Sequence, residues 1–226
     1  MTRYERAGLH DEIVHSHDLG WSEQRGIGDV ELEIRRRADK IFSFAATLSD
    51  LHTLFPHERL QIVDGGCGVG NTLKGISRLA REQGIDVVTT GIEKNQLLYP
   101  GPHEIPGIDN IMLGTVEDAR NKGLLPDESV HMLVDVRGAA FYDGTGTYPI
   151  EPSRGAKILP IYSQILKPGG NMLLFEWAFD PQYRGLGERE ARVSRAENAA
   201  LLGYLDRYNL DVERNMGTYA LLRKHR

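Results

Sequence analysis

Apolar residues between positions 29 and 55 recur every third or fourth place: Val30, Ile34, Ala38, Ile41, Ala45, Leu48 and Leu51. That spacing predicts one amphipathic helix, stopped by Pro56. From residue 60 short apolar runs alternate with helical stretches. Leu60–Asp64 reads as a strand. Asn71–Arg81 reads as a helix with Leu73, Ile76, Leu79 and Ala80 on one face. Further strands are predicted at Asp86–Glu93, Asn110–Leu113, Glu128–Asp135 and Asn171–Glu176. A short helix begins at Asn95–Tyr99 and is cut by Pro100 and Pro102; another runs from Pro160 to Leu166. A longer one is expected at about 188–208, carrying Val193, Ala196, Ala200, Leu201, Tyr204, Leu205 and Tyr208. Two short strands, about 210–214 and 218–223, close the chain around Met216-Gly217. Strands alternating with helices predict an α/β fold: a mostly parallel sheet covered on both faces, with one antiparallel edge. Residues 1–28 are polar and glycine-bearing and read as an arm or lid.

Composition narrows the class. The 226 residues are 40% hydrophobic and 26% charged, enough to build a core without cross-links. The formal net charge of -5 lacks the overall basic footprint of a nucleic-acid binder. Cys67 is the one cysteine, so no intrachain disulfide can form. A reducing, cytoplasmic setting is the natural expectation. No apolar run approaches the ~20 residues of a membrane span, and Met1–Asp11 lacks a signal-peptide core. The run Glu31–Arg37 reads as a solvated helix face, and Arg223–Arg226 is a short basic end that suits a phosphate at most.

The most specific segment is Leu60-Gln-Ile-Val-Asp-Gly-Gly-Cys-Gly-Val-Gly70. An apolar strand ends in an acid and opens into a glycine turn before a helix. Without Cβ atoms, such a turn bends sharply and lies close to a ligand. A dinucleotide fingerprint fails in both registers, because the third glycine would fall on Asn71 or on Leu73. What stands is Asp64-x-Gly66-x-Gly68-x-Gly70. This resembles the first motif of the class I S-adenosylmethionine-dependent methyltransferases. Leu166-Lys-Pro-Gly-Gly170, before an apolar strand, resembles the turn found in the same family. The resemblance runs in order through residues 60–176 and the final strand pair.

That resemblance implies a Rossmann-like sheet of seven strands with an antiparallel last strand, and S-adenosyl-L-methionine at its carboxyl edge. It divides the chain into an arm and helix, 1–55, on the acceptor side, and a cofactor-binding domain, 56–226. Backbone N–H groups of Gly65, Gly66, Cys67, Gly68 and Gly70 would surround the methionine end of the cofactor, with Asp64 taking its amino group. Glu93, closing the second strand, would hold both ribose hydroxyls. Thr115, Val116 and Glu117 occupy the adenine position; the family often has an acid where Thr115 stands. The bland readings are a tight turn at the glycines, a solvated carboxylate at Glu93 and a helix start at Glu117.

Methyl transfer from a sulfonium mainly requires donor and acceptor held in line with water kept out. Candidates for the reaction sit where the fourth strand ends. Asp135 could act as base, as acceptor-positioning group or as a cofactor contact, or it simply caps a turn. Arg137 could hold an anionic acceptor, and Tyr142 lies with Asp143 and Tyr148 in a glycine-rich loop. Glu176 and Trp177 could form a wall. His10, His15 and His17 lack the further ligands of a metal site, so no metal is expected. The expected partner is a small-molecule acceptor, through oxygen or nitrogen, with carbon open. Membrane and nucleic acid are disfavoured, and a homodimer stays open. The rival readings are an RNA or protein methyltransferase, a nucleoside-binding protein without turnover, and a nicotinamide oxidoreductase, against which the glycine spacing argues.

Overall fold

The computed structural model describes residues 26–38, 41–94, 105–136, 158–175, 205, 207–216 and 219–226. Their elements are α1 (Ile27–Ala38), α2 (Phe44–Leu54), β1 (Leu60–Gly65), α3 (Asn71–Glu82), β2 (Val87–Glu93), β3 (Asn110–Leu113), α4 (Val116–Asn121), β4 (Val130–Val136), α5 (Ile158–Ile165), β5 (Leu166–Phe175), β6 (Leu210–Met216) and β7 (Tyr219–Lys224). The seven strands form one sheet in the order β3-β2-β1-β4-β5-β7-β6. Strands β1 to β5 pair in parallel, and β7 runs against both β5 and β6. The strand order reverses between β1 and β4, where open α/β sheets leave a crevice at their carboxyl edge.

Alternate residues of each central strand face opposite layers. Ile62, Met132, Val134 and Leu173 pack with α1, α2 and α3 through Ile34, Phe44, Leu48, Leu73 and Ile76. Val63, Leu133, Met172 and Leu174 pack with α4 and α5 through Val116, Ala119, Leu159 and Tyr162. Helices α1 and α2 thus share a core with the sheet.

The helix expected over 29–55 is two helices. Ser43 takes the N-cap of α2 in extended conformation, its hydroxyl accepting from Ala46 N–H at 3.4 Å. Glu31 Oε1 of α1 accepts from Phe44 N–H at 2.7 Å and joins the two. Ile41, which the periodicity placed on the apolar stripe, is 76% exposed. The phase restarts at Phe44, because a serine competes for the backbone and favours caps over helix interiors.

Leu-Lys-Pro-Gly-Gly, expected as a turn, lies inside β5. Val130 pairs with Leu166 and Met132 with Asn171, so the segment bulges out of register against β4. Pro168 has no N–H for the ladder, and Gly169 has φ +85. Helix α5 starts two residues before Pro160, which falls within its first turn. The helices expected at 95–99 and over most of 188–208 lie outside the described residues.

At the amino ends of the strands, His131 is buried under Phe55, which meets its ring edge-to-face with centroids 4.8 Å apart. Its Nδ1 accepts from Gln61 N–H at 2.9 Å, and its Nε2 faces Glu58 Oε2 at 3.1 Å. Glu58 Oε2 also pairs with Lys167. Burial holds the His131 imidazole below its ordinary pKa, against the pull of Glu58. The Lys167 ammonium, ahead of His131, holds Glu58 below the ordinary carboxylate value. The basic end of the chain is committed to internal pairs: Arg223 with Glu213, Lys224 with Glu128 and His225 with Asp211.

Candidate active site

The glycine loop leaves β1 already fastened to β2. Gly66 and Cys67 both donate their N–H to the carbonyl of Ile92, at 2.8 and 3.1 Å. Gly68 N–H donates to Glu93 Oε2 at 2.8 Å. Gly70 N–H closes the turn on Cys67 O at 2.8 Å, and Gly70 O receives Lys74 N–H to begin α3. Gly66, Gly68 and Gly70 have φ of 107, 54 and 76, a region that favours glycine. The Cys67 side chain fills the space beside Gly91: a Cβ there would lie 2.6 Å from its sulfur.

The N–H groups of Gly66, Cys67, Gly68 and Gly70 all donate within the protein. The loop offers a shape: half-buried backbone at Gly66 and Gly68 after β1, leading into the N-terminus of α3. That shape fits a nucleoside ligand lying against the chain.

Glu93 stands at the end of β2 beside the loop. One carboxylate oxygen is engaged by Gly68, so the side chain is oriented toward the glycine turn. Gly114 N–H donates to Glu93 O at 2.9 Å and brings the end of β3 alongside. Thr115, expected at the adenine, caps α4. Its N–H and hydroxyl both donate to Asp118 Oδ2, at 2.9 and 2.8 Å, and its Oγ1 accepts from Asp118 N–H at 3.0 Å. The Thr115 backbone N–H, then its hydroxyl, holds Asp118 below the ordinary carboxylate value. Thr115 has thus spent its one proton and can only accept from a base. The Val116 side chain is buried in the core, and Glu117 is exposed in the first helical turn, where an acid suits the dipole.

Asp64 and Asp135 are the penultimate residues of neighbouring strands but face opposite layers. Asp64 is buried and pairs in register with Val134, on the side of α1 to α3. Asp135 is 1% exposed and lies on the side of α4 and α5. There Tyr162 Oη donates to Asp135 Oδ2 at 2.5 Å. Tyr162 is fully buried, and its hydroxyl fits under Gly65: a Cβ on Gly65 would lie 2.1 Å from it. The sequence reading missed Tyr162. The available signal was a hydroxyl-bearing aromatic inside the apolar run Ile158–Ile165, where a buried tyrosine needs a partner.

The structure therefore brings Asp64, the glycine loop, Glu93, Thr115 and Asp135 to the carboxyl ends of β1 to β4. Arg137 and Tyr142 lie outside the described residues, as do Asp143, Tyr148, Glu176, Trp177 and His10, His15 and His17. Among the described residues no group of three or more His, Cys, Asp or Glu is placed to hold a metal, and no helix is long and apolar enough to cross a membrane.

No family model and no curated protein sequence matches the chain. Solved structures do. The plantazolicin methyltransferase BpumL, in complex with SAH, matches with a TM-score of 0.52 at 12% identity, over 81% of this chain and 82% of that one. The CMeT domain of the citrinin polyketide synthase matches with a TM-score of 0.49 at 13% identity, over 87% of this chain and 51% of that one. With its seven-stranded sheet, reversed β7 and glycine loop after β1, the chain has the fold of the class I S-adenosylmethionine-dependent methyltransferases.

Proposed function

We propose that this protein is an S-adenosylmethionine-dependent methyltransferase acting on a small-molecule acceptor. The observation that carries the reading is the glycine loop. It is clamped to Ile92 O and Glu93 at the point where the strand order reverses. Bound there, the cofactor supplies an electrophilic methyl group on a sulfonium. The chain supplies orientation. Glu93 presents a carboxylate to the ribose hydroxyls, and the half-buried backbone at Gly66 and Gly68 admits the methionine end. Asp64, at the end of β1, offers an acceptor to the amino group. The acceptor enters from the side where β4 ends, at Asp135. The acidic balance of the chain supports a metabolite rather than a nucleic acid.

Calorimetric titration with S-adenosylmethionine and S-adenosylhomocysteine, with NAD as control, tests the cofactor. Micromolar binding of both and none of NAD is expected; absence of binding to either removes the reading. A nucleoside-binding protein without turnover is the second reading. It is favoured by the burial of Asp135, whose carboxylate is engaged by Tyr162. Methyl transfer to any member of a metabolite panel separates the two.

A further inference from the structure

Strand β1 lies between β2 and β4, and in a parallel sheet successive N–H groups turn to opposite neighbours. The N–H of Leu60 turns to the β2 side and donates to Asp86 O at 2.9 Å. The N–H of Gln61 turns to β4, and the group that receives it is a side-chain ring: His131 Nδ1, at 2.9 Å. Main-chain pairing of β1 with β4 is in register from Ile62 and Met132 onward. Across β4, the register against β5 shifts between Val130 and Met132, with His131 at the break. The imidazole thus stands in for a main-chain carbonyl at the amino end of the sheet. An N–H can only donate, so Nδ1 carries no proton, and the ring proton sits on Nε2, facing Glu58 Oε2 at 3.1 Å. His131 is 2% exposed, so water does not take its place as acceptor.

We propose that the neutral His131 imidazole is a proton-sensitive splice between β1 and β4: a second proton, taken on Nδ1, sets donor against donor at Gln61 and opens the amino end of this strand pair while the rest of the sheet stays closed. The step is the uptake of one proton from solvent. The charged groups facing the ring are Glu58, from the turn after α2, and Lys167, from β5. The end of α2 contributes the phenyl ring of Phe55, and β1 the main chain of Gln61. Burial first, and then Lys167, keep the second proton off, while Glu58 draws it on; the balance leaves His131 below its ordinary 6.5. The splice is therefore whole at neutral pH and is lost as pH falls through the lowered folded value. The charged ring keeps Glu58 as a partner and loses Gln61, so the opening falls on the β1 side. None of this depends on which ligand the crevice takes.

Amide hydrogen exchange of the full chain, resolved by NMR from about pH 7.5 to about pH 5, tests the splice. Exchange is expressed as protection relative to the free peptide, which removes the pH dependence of the chemistry itself. Protection at Gln61 is expected to fall by up to about tenfold per pH unit below the folded pKa, as uptake of one proton requires. Val63, further along β1, is expected to stay level, whereas a histidine that merely packs would lower both amides together. Imidazole nitrogen shifts at neutral pH are expected to show Nδ1 bare and Nε2 protonated. In His131→Asn, whose Oδ1 accepts from Gln61 at every pH, the fall at Gln61 is expected to vanish. Four results overturn the proposal: Gln61 protection constant to within about twofold, a fall shared equally by Val63, a proton on Nδ1 at neutral pH, or the same fall in His131→Asn. The first three are read on the wild type, so the test holds even if the variant does not fold.

Discussion

Substituting Gly65 by alanine tests the packing beneath the loop without any ligand. The backbone at Gly65 does not require glycine, since its φ is not among the positive ones. The obstacle is steric: the new methyl would lie 2.1 Å from Tyr162 Oη and 3.2 Å from Cζ. The ring must shift, and the hydrogen bond to Asp135 goes with it. Overpacking of a full core costs about 1–3 kcal/mol. A lost hydrogen bond to a buried charged group costs a further ~1.5–3 kcal/mol. Gly65→Ala should therefore destabilise the protein by about 3–5 kcal/mol, roughly 10 °C for a chain of this size. Tyr162→Phe should cost about 2 kcal/mol, the hydrogen bond alone. In the double variant the nearest atom is gone and Cζ at 3.2 Å needs to yield only slightly. The pair should then cost about 2–3 kcal/mol, well below the sum of the single effects. Urea unfolding of all four proteins gives the cycle. Additivity to within about 0.5 kcal/mol would show that Gly65 and Tyr162 do not share this space, and the reasoning would fall.

Further outcomes are expected elsewhere. Glu93→Ala should weaken S-adenosylhomocysteine binding more than about tenfold, while Glu93→Gln, whose carbonyl can still accept from Gly68, should keep the loop's thermal stability yet bind weakly; calorimetry and melting curves separate the two effects. Thr115→Ala should cost about 1 kcal/mol by removing the α4 cap, read from urea midpoints. His131 is neutral and held below 6.5, so its contribution to stability is present above that value and is lost as pH falls through its lowered folded pKa; His131→Gln should flatten that part of the stability-pH curve. Glu58, held below 4.5, adds a second loss at more acid pH, which Glu58→Gln should remove.

Much of this molecule is local enough to read from its sequence. Asn110–Leu113 is a strand with the bounds that its apolar run suggests. The glycine turn announces itself because only glycine tolerates the φ values that it adopts. Glu93 falls at the end of β2, as its place after an apolar run indicates. The misreadings come from contacts between distant residues. Ser43 breaks the long helix with help from Glu31, twelve positions earlier in the chain. The bulge in β5 exists only because β4 lies beside it, and Leu-Lys-Pro-Gly-Gly alone looks like a turn. Thr115 and Asp118, by contrast, have the local spacing of a capping pair and form one. Tyr162 finds Asp135 across 27 positions, a meeting that no local pattern encodes.

The pair of hydrogen bonds from Gly66 and Cys67 to the carbonyl of Ile92 has a consequence for how this protein tolerates change. Both donors and the acceptor belong to the main chain, so at Cys67 and Ile92 the fastening does not depend on the side chain, whereas Gly66, at φ 107, is held to glycine. Drift in sequence can remodel the crevice around the loop and leave its anchorage in place. Proline is the exception at Cys67, because it alone deletes a donor. The entrance of the crevice can therefore diversify toward new acceptors while its hinge to β2 stays fixed.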